Sequence, residues 1–219
     1  MPRIPSMLAL AFALLLPLAA LAQDNDIDKV NGTARVEAGQ HAGDVSTVNG
    51  AVRIGTGAVV KEASTVNGSV ELGDKAQASK LGTVNGAITL ADGSRVSGEV
   101  EATNGSIRLQ QGAEIGGKLS NVNGAISLDA AHVAGGIETV NGDITVGANS
   151  HVEGGILVDK NSSWFHFGSE RVPHIVIGPH AVVQGTLEFR RDVLLQVSDS
   201  ATIGPVKGAS VVKFSGATP

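Results

Sequence analysis

The sequence predicts an all-β fold: a single-stranded parallel β-helix, that is, a three-sided β-solenoid with about 18 residues per coil. Asn-Gly recurs seven times at separations of 18 or 19 residues, and apolar and polar residues alternate after each pair. Aromatic residues make up only 3% of the 219 residues, so Val, Ile, Leu and Ala must fill a narrow, evenly packed core. The sequence leaves the handedness of the coil undetermined.

The repeated asparagines are expected to stack in register. A strand of three or four residues buries its face only when copies of it stack above and below, so a fixed period favours a solenoid. An Asn side chain can both donate and accept, so stacked asparagines should form a hydrogen-bonded ladder at one corner. The following Gly is expected to take a φ that would strain other residues. The seven asparagines are Asn31, Asn49, Asn67, Asn85, Asn104, Asn123 and Asn141.

Antiparallel hairpins with Asn-Gly turns are the rival interpretation. The strands that follow each Asn-Gly are near-copies of one another, however, which favours parallel stacking. A strand signature follows each pair, as in Ile107 and Leu109 with the charged Arg108 between them. The residue before each Asn is also predicted to face inward, because it is Val in six of the seven repeats. In the last clear repeat the predicted inward residues are Val140, Ile144, Val146, Ser150, Val152, Ile156 and Val158.

Residues 1–22 are expected to be a secretory signal peptide. Arg3 supplies the positive charge, residues 8–16 the apolar run, and Ala20-Leu21-Ala22 the cleavage site. The apolar run is shorter than the ~20 residues of a membrane span, so no span is expected after signal cleavage. Without a cysteine the protein is not expected to be a lipoprotein. The mature chain is therefore expected in the periplasm or outside the cell.

The mature chain is predicted to have three parts. An acidic N-terminal tail (23–27) precedes the β-solenoid (28–204), and an irregular C-terminal tail or cap (205–219) follows it. An excursion at 159–173 interrupts the solenoid. It holds a candidate recognition loop, because aromatic and Arg side chains dominate binding hot spots. Packing of these aromatics over apolar coils is the alternative. The loop residues are Trp164, Phe165, His166, Phe167 and Arg171.

No catalytic, cofactor or metal site is predicted. The chain has no cysteine, no GxSxG or HExxH motif and no glycine-rich phosphate loop. One outward column reads Arg95, Glu114, His132 and His151 on successive coils. The two histidines with Glu114 could hold a metal ion, but a solvated polar face is the preferred interpretation. The net charge of −5 gives no electrostatic basis for binding nucleic acid.

Two motifs resemble known bacterial families. The Val-Asn-Gly-x-Ile-x-Leu strands at 122–128 and 140–146 resemble β-strand-repeat proteins of the adhesin type. The Ile-x-Ile-Gly-x-x-Ala coil at 175–187 is similar to bactofilins, which are polymer-forming cytoskeletal β-helices. Together the resemblance covers residues 28–158 and 174–204 and implies a bacterial scaffold or surface role, with no functional residues to transfer. The signal peptide departs from bactofilins and argues against a cytoplasmic role.

The expected function is that of an exported, non-enzymatic structural or adhesion-type β-solenoid of the bacterial cell envelope. Self-association, or binding to another envelope component, is the expected interaction. The residue after each repeat glycine is small, which offers a smooth face to a partner. One alternative is a carbohydrate- or protein-binding module that uses the Trp164 loop. Another is a metal-dependent enzyme similar to hexapeptide-repeat acyltransferases, since His166, His174 and His180 lie close together in sequence.

Overall fold

The structure, a computed structural model, describes residues 25–160 and 171–219. Within these ranges the chain forms β-strands and no helix, and it winds as a parallel β-solenoid, as predicted. The antiparallel alternative is wrong, because the strand pairs throughout these ranges are parallel. The predicted signal peptide and four of the five loop residues, Trp164 to Phe167, lie outside the described residues.

The strands are two to six residues long, and most coils supply one strand to each side of the solenoid. In chain order they are β1 (Ile27–Asn31), β2 (Ala34–Val36), β3 (Asp44–Asn49), β4 (Val52–Ile54), β5 (Glu62–Asn67), β6 (Val70–Leu72), β7 (Gln77–Ala78), β8 (Lys80–Asn85), β9 (Ile88–Leu90), β10 (Arg95–Val96), β11 (Val100–Asn104), β12 (Ile107–Leu109), β13 (Glu114–Ile115), β14 (Leu119–Asn123), β15 (Ile126–Leu128), β16 (His132–Val133), β17 (Ile137–Thr139), β18 (Ile144–Val146), β19 (His151–Val152), β20 (Ile156–Val158), β21 (His174–Ile177), β22 (Val182–Val183), β23 (Leu187–Phe189), β24 (Leu194–Ser198), β25 (Thr202–Ile203), β26 (Val206–Lys207) and β27 (Val211–Phe214).

Three parallel sheets form the three sides. Sheet A runs β1-β3-β5-β8-β11-β14-β17-β20-β23-β26, and sheet B runs β2-β4-β6-β9-β12-β15-β18-β21-β24-β27. Sheet C runs from β7 through β10, β13, β16, β19 and β22 to β25, and the bridges His41–Val59 and Val59–Gln77 extend it towards the first coil. Sheets A and B meet at the Asn-Gly corner, which every repeat crosses between the two strands.

The core is a stack of aliphatic side chains that lies between the three sheets, along the solenoid axis. The third and fifth residues after each repeat asparagine are buried as predicted; Ile107 and Leu109, for example, are completely inaccessible to solvent. Each pairs with its equivalent on the coils above and below, as Ile107 does with Ile88 and Ile126. Burying one such side chain contributes about 1.5–3 kcal/mol. The repetition of this small contribution at every coil stabilises the whole solenoid.

The prediction that the valine before each asparagine faces inward is wrong. In sheet A the inward residue is the one before it: Thr65 and Thr83 are buried, whereas Val66 and Val84 are exposed. The strand alternation starts from buried residues such as Ala63, so the threonine, two residues on, must also point inward. The Thr65 hydroxyl donates to the Gly50 carbonyl oxygen of the preceding coil at 3.0 Å. A partly buried carbonyl at the corner therefore gains a partner that valine could not supply.

The register locates the predicted excursion and corrects the C-terminal boundary. Paired residues are 18 or 19 positions apart along most of the chain, but Ile144 pairs with Ile175, so the additional residues fall between β20 and β21. The predicted end of the solenoid at residue 204 is too early. Strands β26 and β27 extend sheets A and B to Phe214 where an irregular tail was expected, because parallel pairing needs only a free sheet edge.

The first coil begins at Ile27, next to the predicted boundary, and two acidic side chains bind it to the second coil. Asp26 accepts a hydrogen bond from the Asp44 backbone amide at 2.9 Å. Asp28 accepts one from the Ser46 hydroxyl at 2.6 Å. These carboxylates place negative charge at the free edge of sheet A, where it disfavours pairing with another strand.

Candidate functional site

The seven repeat asparagines lie one above another at the corner between sheets A and B. The Nδ2 atom of each asparagine after Asn31 donates to the Oδ1 atom of the asparagine one coil earlier, at distances between 2.9 and 3.2 Å. This row of side chains is called the Asn ladder below. Its members are Asn31, Asn49, Asn67, Asn85, Asn104, Asn123 and Asn141.

An arginine from a later coil closes the upper end of the Asn ladder. The Arg191 guanidinium donates to Oδ1 of Asn141 at 2.5 Å and to the Val140 carbonyl oxygen at 3.0 Å. It also donates to the carbonyl oxygen of Arg171 at 3.1 Å. A charged donor makes a stronger hydrogen bond than a neutral amide. Arg191 therefore occupies the last acceptor of the row.

The glycine after each asparagine from Asn49 onward is required mainly by space. A Cβ atom built on Gly105 would lie 1.8 Å from the carbonyl oxygen of Gly86, and one on Gly86 would lie 1.9 Å from that of Gly68. The predicted unusual φ occurs at some of these glycines, such as Gly32 at 92° and Gly124 at 125°. At Gly105, φ lies outside that region. Close approach of successive backbones is therefore the requirement that the stacked glycines share.

A row of exposed valines runs beside the Asn ladder on sheet A. Each valine precedes a ladder asparagine, and neighbouring coils are ~4.8 Å apart. On the coil between Val84 and Val122 the equivalent residue is Thr103, which interrupts the row. This row is called the valine column; its members and their exposed fractions are Val30 67%, Val48 42%, Val66 41%, Val84 41% and Val122 39%. Single exposed apolar residues are ordinary, but several in one row form a larger apolar patch, and such patches mark surfaces that contact another molecule.

A row of alternating charges lies further along the same face. Glu62, Lys80, Glu99 and Lys118 occupy equivalent positions on four successive coils and are called the charged row. Lys118 donates to Glu138 on the next coil at 2.8 Å, and this hydrogen bond raises the pKa of the Lys118 ammonium. A shallow groove of about 550 Å³ lies between the charged row and the valine column. Sheet A therefore presents an apolar stripe and a charged stripe side by side.

Arg171 is the one residue of the candidate recognition loop that the structure describes. Its guanidinium donates to Oδ2 of Asp143 at 2.5 Å, and Oδ1 of the same carboxylate accepts from the His174 backbone amide at 2.9 Å. Arg171 therefore has a structural role where the chain re-enters sheet B. The part of the loop that contains Trp164, Phe165, His166 and Phe167 lies outside the described residues. Recognition through those aromatics stays a prediction.

The outward column of sheet C brings two histidines together. His132 and His151 are register partners with ring centroids 5.4 Å apart. The carboxylate that joins them is Glu153, whose Oε1 lies 2.9 Å from Nε2 of His132. Glu114, which the sequence suggested as the third member, is instead paired with Arg95 at 2.7 Å. Glu153 was missed because it lies in the neighbouring column, two residues beyond His151.

Neither His174 nor His180 belongs to this cluster. The His174 ring contacts the Gln196 side chain, and His180 adopts a φ of 58° in a turn. Within residues 25–160 and 171–219 the chain has no apolar helix of membrane-spanning length. Comparisons with family models, with curated proteins and with solved structures find no match.

Proposed function

We propose that this chain is an exported, non-enzymatic structural and adhesion-type rod of the bacterial cell envelope, and that it self-associates side by side through sheet A. The observation that carries the proposal is the valine column. Threonine suits an exposed β-strand about as well as valine does, so folding alone gives little reason for valine at this position. Covering a half-exposed valine contributes about 1 kcal/mol, and the column offers five of them.

The charges on sheet A fit a second copy of the same chain. Consider a two-fold axis that runs along the strands, between the coil of Lys80 and the coil of Glu99. It sets Glu62 of one copy opposite Lys118 of the other, and Lys80 opposite Glu99. The same axis sets one valine column against the other. A two-fold contact needs a self-complementary surface, and complementary charges fix its register.

Two further features support an envelope role. The signal peptide predicted at residues 1–22 would export the chain, and the likeness to β-strand-repeat adhesins and bactofilins agrees with a scaffold. The likeness to bactofilins concerns the coil at 175–187, which forms β21 and β22 and ends at the first residue of β23. A stiff stack of short parallel strands suits a spacer or scaffold, because each coil contacts only its neighbours and the rod length follows the number of coils.

Sedimentation velocity of the purified, untagged protein over a wide concentration range tests the proposal. We expect a monomer–dimer equilibrium that Val66→Ser with Val84→Ser shifts towards monomer. Val176→Ser with Val182→Ser is the matched control, since these half-buried outward valines lie on sheets B and C. The control should associate like the wild type. A wild-type protein that stays monomeric at every concentration would overturn the proposal.

Exchange of two charges tests the two-fold arrangement itself. Glu62→Lys should weaken association because it places two lysines face to face, and adding Lys118→Glu should restore it. Two results would place the contact on another face. One is unchanged association of the valine variant, and the other is a double charge variant that associates no more strongly than Glu62→Lys alone.

A further inference from the structure

Sheet C carries a cluster of metal-binding side chains that the proposed rod function does not use. His132, His151 and Glu153 each offer one ligand atom, and these atoms all lie within 4.8 Å of one another. We propose that this cluster binds one divalent transition-metal ion, with Zn²⁺ as the reference ion. The site lies on the side of the solenoid formed by sheet C and does not depend on association through sheet A.

The fold brings the two imidazoles together. Strands β16 and β19 are neighbours in sheet C, and their register pairs His132 with His151. In-register parallel strands place such side chains ~4.8 Å apart on the same face. The two rings meet edge to face, with an interplanar angle of 88°, so their nitrogen lone pairs can converge on one point beside the sheet.

The carboxylate arrives from the adjoining column. Glu153 points to the same side of the chain as His151, because the two residues are separated only by the buried Val152. The position equivalent to Glu153 on the coil before is Ala134, a residue small enough to let the carboxylate reach back to His132. The resulting contact between Glu153 and Nε2 of His132 is 2.9 Å.

The surrounding residues leave the cluster available to an ion. Glu114 is engaged by Arg95 and does not compete for His132. The amide nitrogen of Gln184 lies 3.0 Å from Nε2 of His151; turned so that its carbonyl oxygen faces the ring, the same amide can accept the imidazole N–H, as outer partners of metal ligands do. The next residue in the histidine column is Val182, which carries no donor and ends the site at these two coils.

Two imidazoles and one carboxylate form a donor set that suits Zn²⁺ and its neighbours Co²⁺, Ni²⁺ and Cu²⁺. Zinc takes such ligands at ~2.0–2.2 Å. The side chains are partly exposed, so small rotations can bring the three atoms around one ion. Three protein ligands leave a fourth position of a tetrahedral ion facing solvent, which would bind water or a donor from another molecule.

Calorimetric titration of the chelator-treated, untagged protein with ZnCl₂ tests the site. We expect one ion per chain, and an absorption band of tetrahedral Co²⁺ when CoCl₂ replaces zinc. His132→Gln, His151→Gln and Glu153→Gln should each weaken binding by at least about ten-fold, since even outer partners of metal ligands contribute ~10–100-fold. Circular dichroism should show that all three variants keep the wild-type fold.

The column itself supplies a matched control. His41 lies on the same outward column of sheet C, but its register neighbour is Val59, followed by Gln77. His41→Gln should therefore bind zinc like the wild type, and so should Glu114→Gln. The proposal is overturned if the wild type shows no saturable binding, or if His151→Gln binds as tightly as His41→Gln.

Discussion

Replacing Gly105 with alanine should destabilise the solenoid strongly, because the added methyl group would collide with the backbone of the coil before it. The new Cβ would lie 1.8 Å from the Gly86 carbonyl oxygen, and ordinary contact begins at 3.4 Å. Neither atom belongs to a flexible side chain, so the two coils would have to separate. Separation strains the backbone bonds Gly86 N–Asn104 O and Ile88 N–Ser106 O, which join these two coils and are both 2.9 Å long.

The expected loss of unfolding free energy is about 3–5 kcal/mol. Overpacking contributes about 1–3 kcal/mol, and two weakened hydrogen bonds contribute about 1 kcal/mol each. For a domain of this size each kcal/mol lowers the melting temperature by about 2–4 °C, so the variant should melt about 6–20 °C below the wild type. Thermal unfolding followed by circular dichroism measures the shift.

Gly82→Ala is the matched control on the same sheet. Its Cβ would meet only the Ser64 Cβ atom, at an ordinary 3.9 Å. Alanine also reduces the entropy of the unfolded chain, so this variant should be unchanged or more stable by about 0.4–1 kcal/mol. Equal melting temperatures for Gly105→Ala and Gly82→Ala would refute the conclusion that close backbone approach selects glycine at the corner.

The remaining predictions concern side-chain hydrogen bonds. Thr65→Val should lower the unfolding free energy in urea by about 1–3 kcal/mol, because the partly buried Gly50 carbonyl loses its donor. Thr65→Ser keeps a hydroxyl donor and should retain most of that free energy. Asn85→Ala breaks both of its ladder bonds and should lose about 1 kcal/mol in the same assay; no change would show that the ladder adds no stability. Lys118→Met should lose less than about 1 kcal/mol at neutral pH, since the ion pair is partly exposed. The raised pKa of Lys118 stabilises the fold below the unfolded value of 10.5, so this deficit should disappear as the pH rises above it, and a deficit independent of pH would contradict the assignment.

The fold was predictable because the period of the repeat and the alternation of apolar and polar residues both indicate stacked parallel strands. Ile107 and Leu109 face inward since a parallel stack needs an apolar residue at every second strand position. The prediction that Val84 faces inward was wrong, because hydrophobicity alone does not show on which residue the strand alternation starts. The buried Thr83 could have been recognised only from the carbonyl oxygen of Gly68 that it satisfies, which is a contact between coils.

Contacts between residues far apart in sequence could not be predicted for a similar reason. Glu153 joins His132 across 21 positions through a side-chain contact between neighbouring columns, and columns aligned on one residue do not reveal such a diagonal. Arg191 lies 50 positions from the asparagine that it contacts, and the excursion between β20 and β21 obscures their relation. The continuation of the sheets to Phe214 was missed because β26 and β27 have lost the side-chain pattern and keep only the backbone pairing.

The Asn ladder has a direction: every amide group in it donates towards the N-terminal end of the rod, and the Arg191 guanidinium takes the last oxygen. The side chain of an internal member such as Asn85 bonds only to the asparagines one coil away. These bonds therefore do not depend on how many coils the row contains. Duplication or deletion of whole units between Asn31 and Asn141 should therefore change the length of the molecule in steps of ~4.8 Å without disturbing either terminus. A unit inserted between Asn141 and Arg191 would instead separate the row from its terminator. The number of repeat units between Asn31 and Asn141 can thus set the length of the rod, while Arg191 ends the Asn ladder in every version.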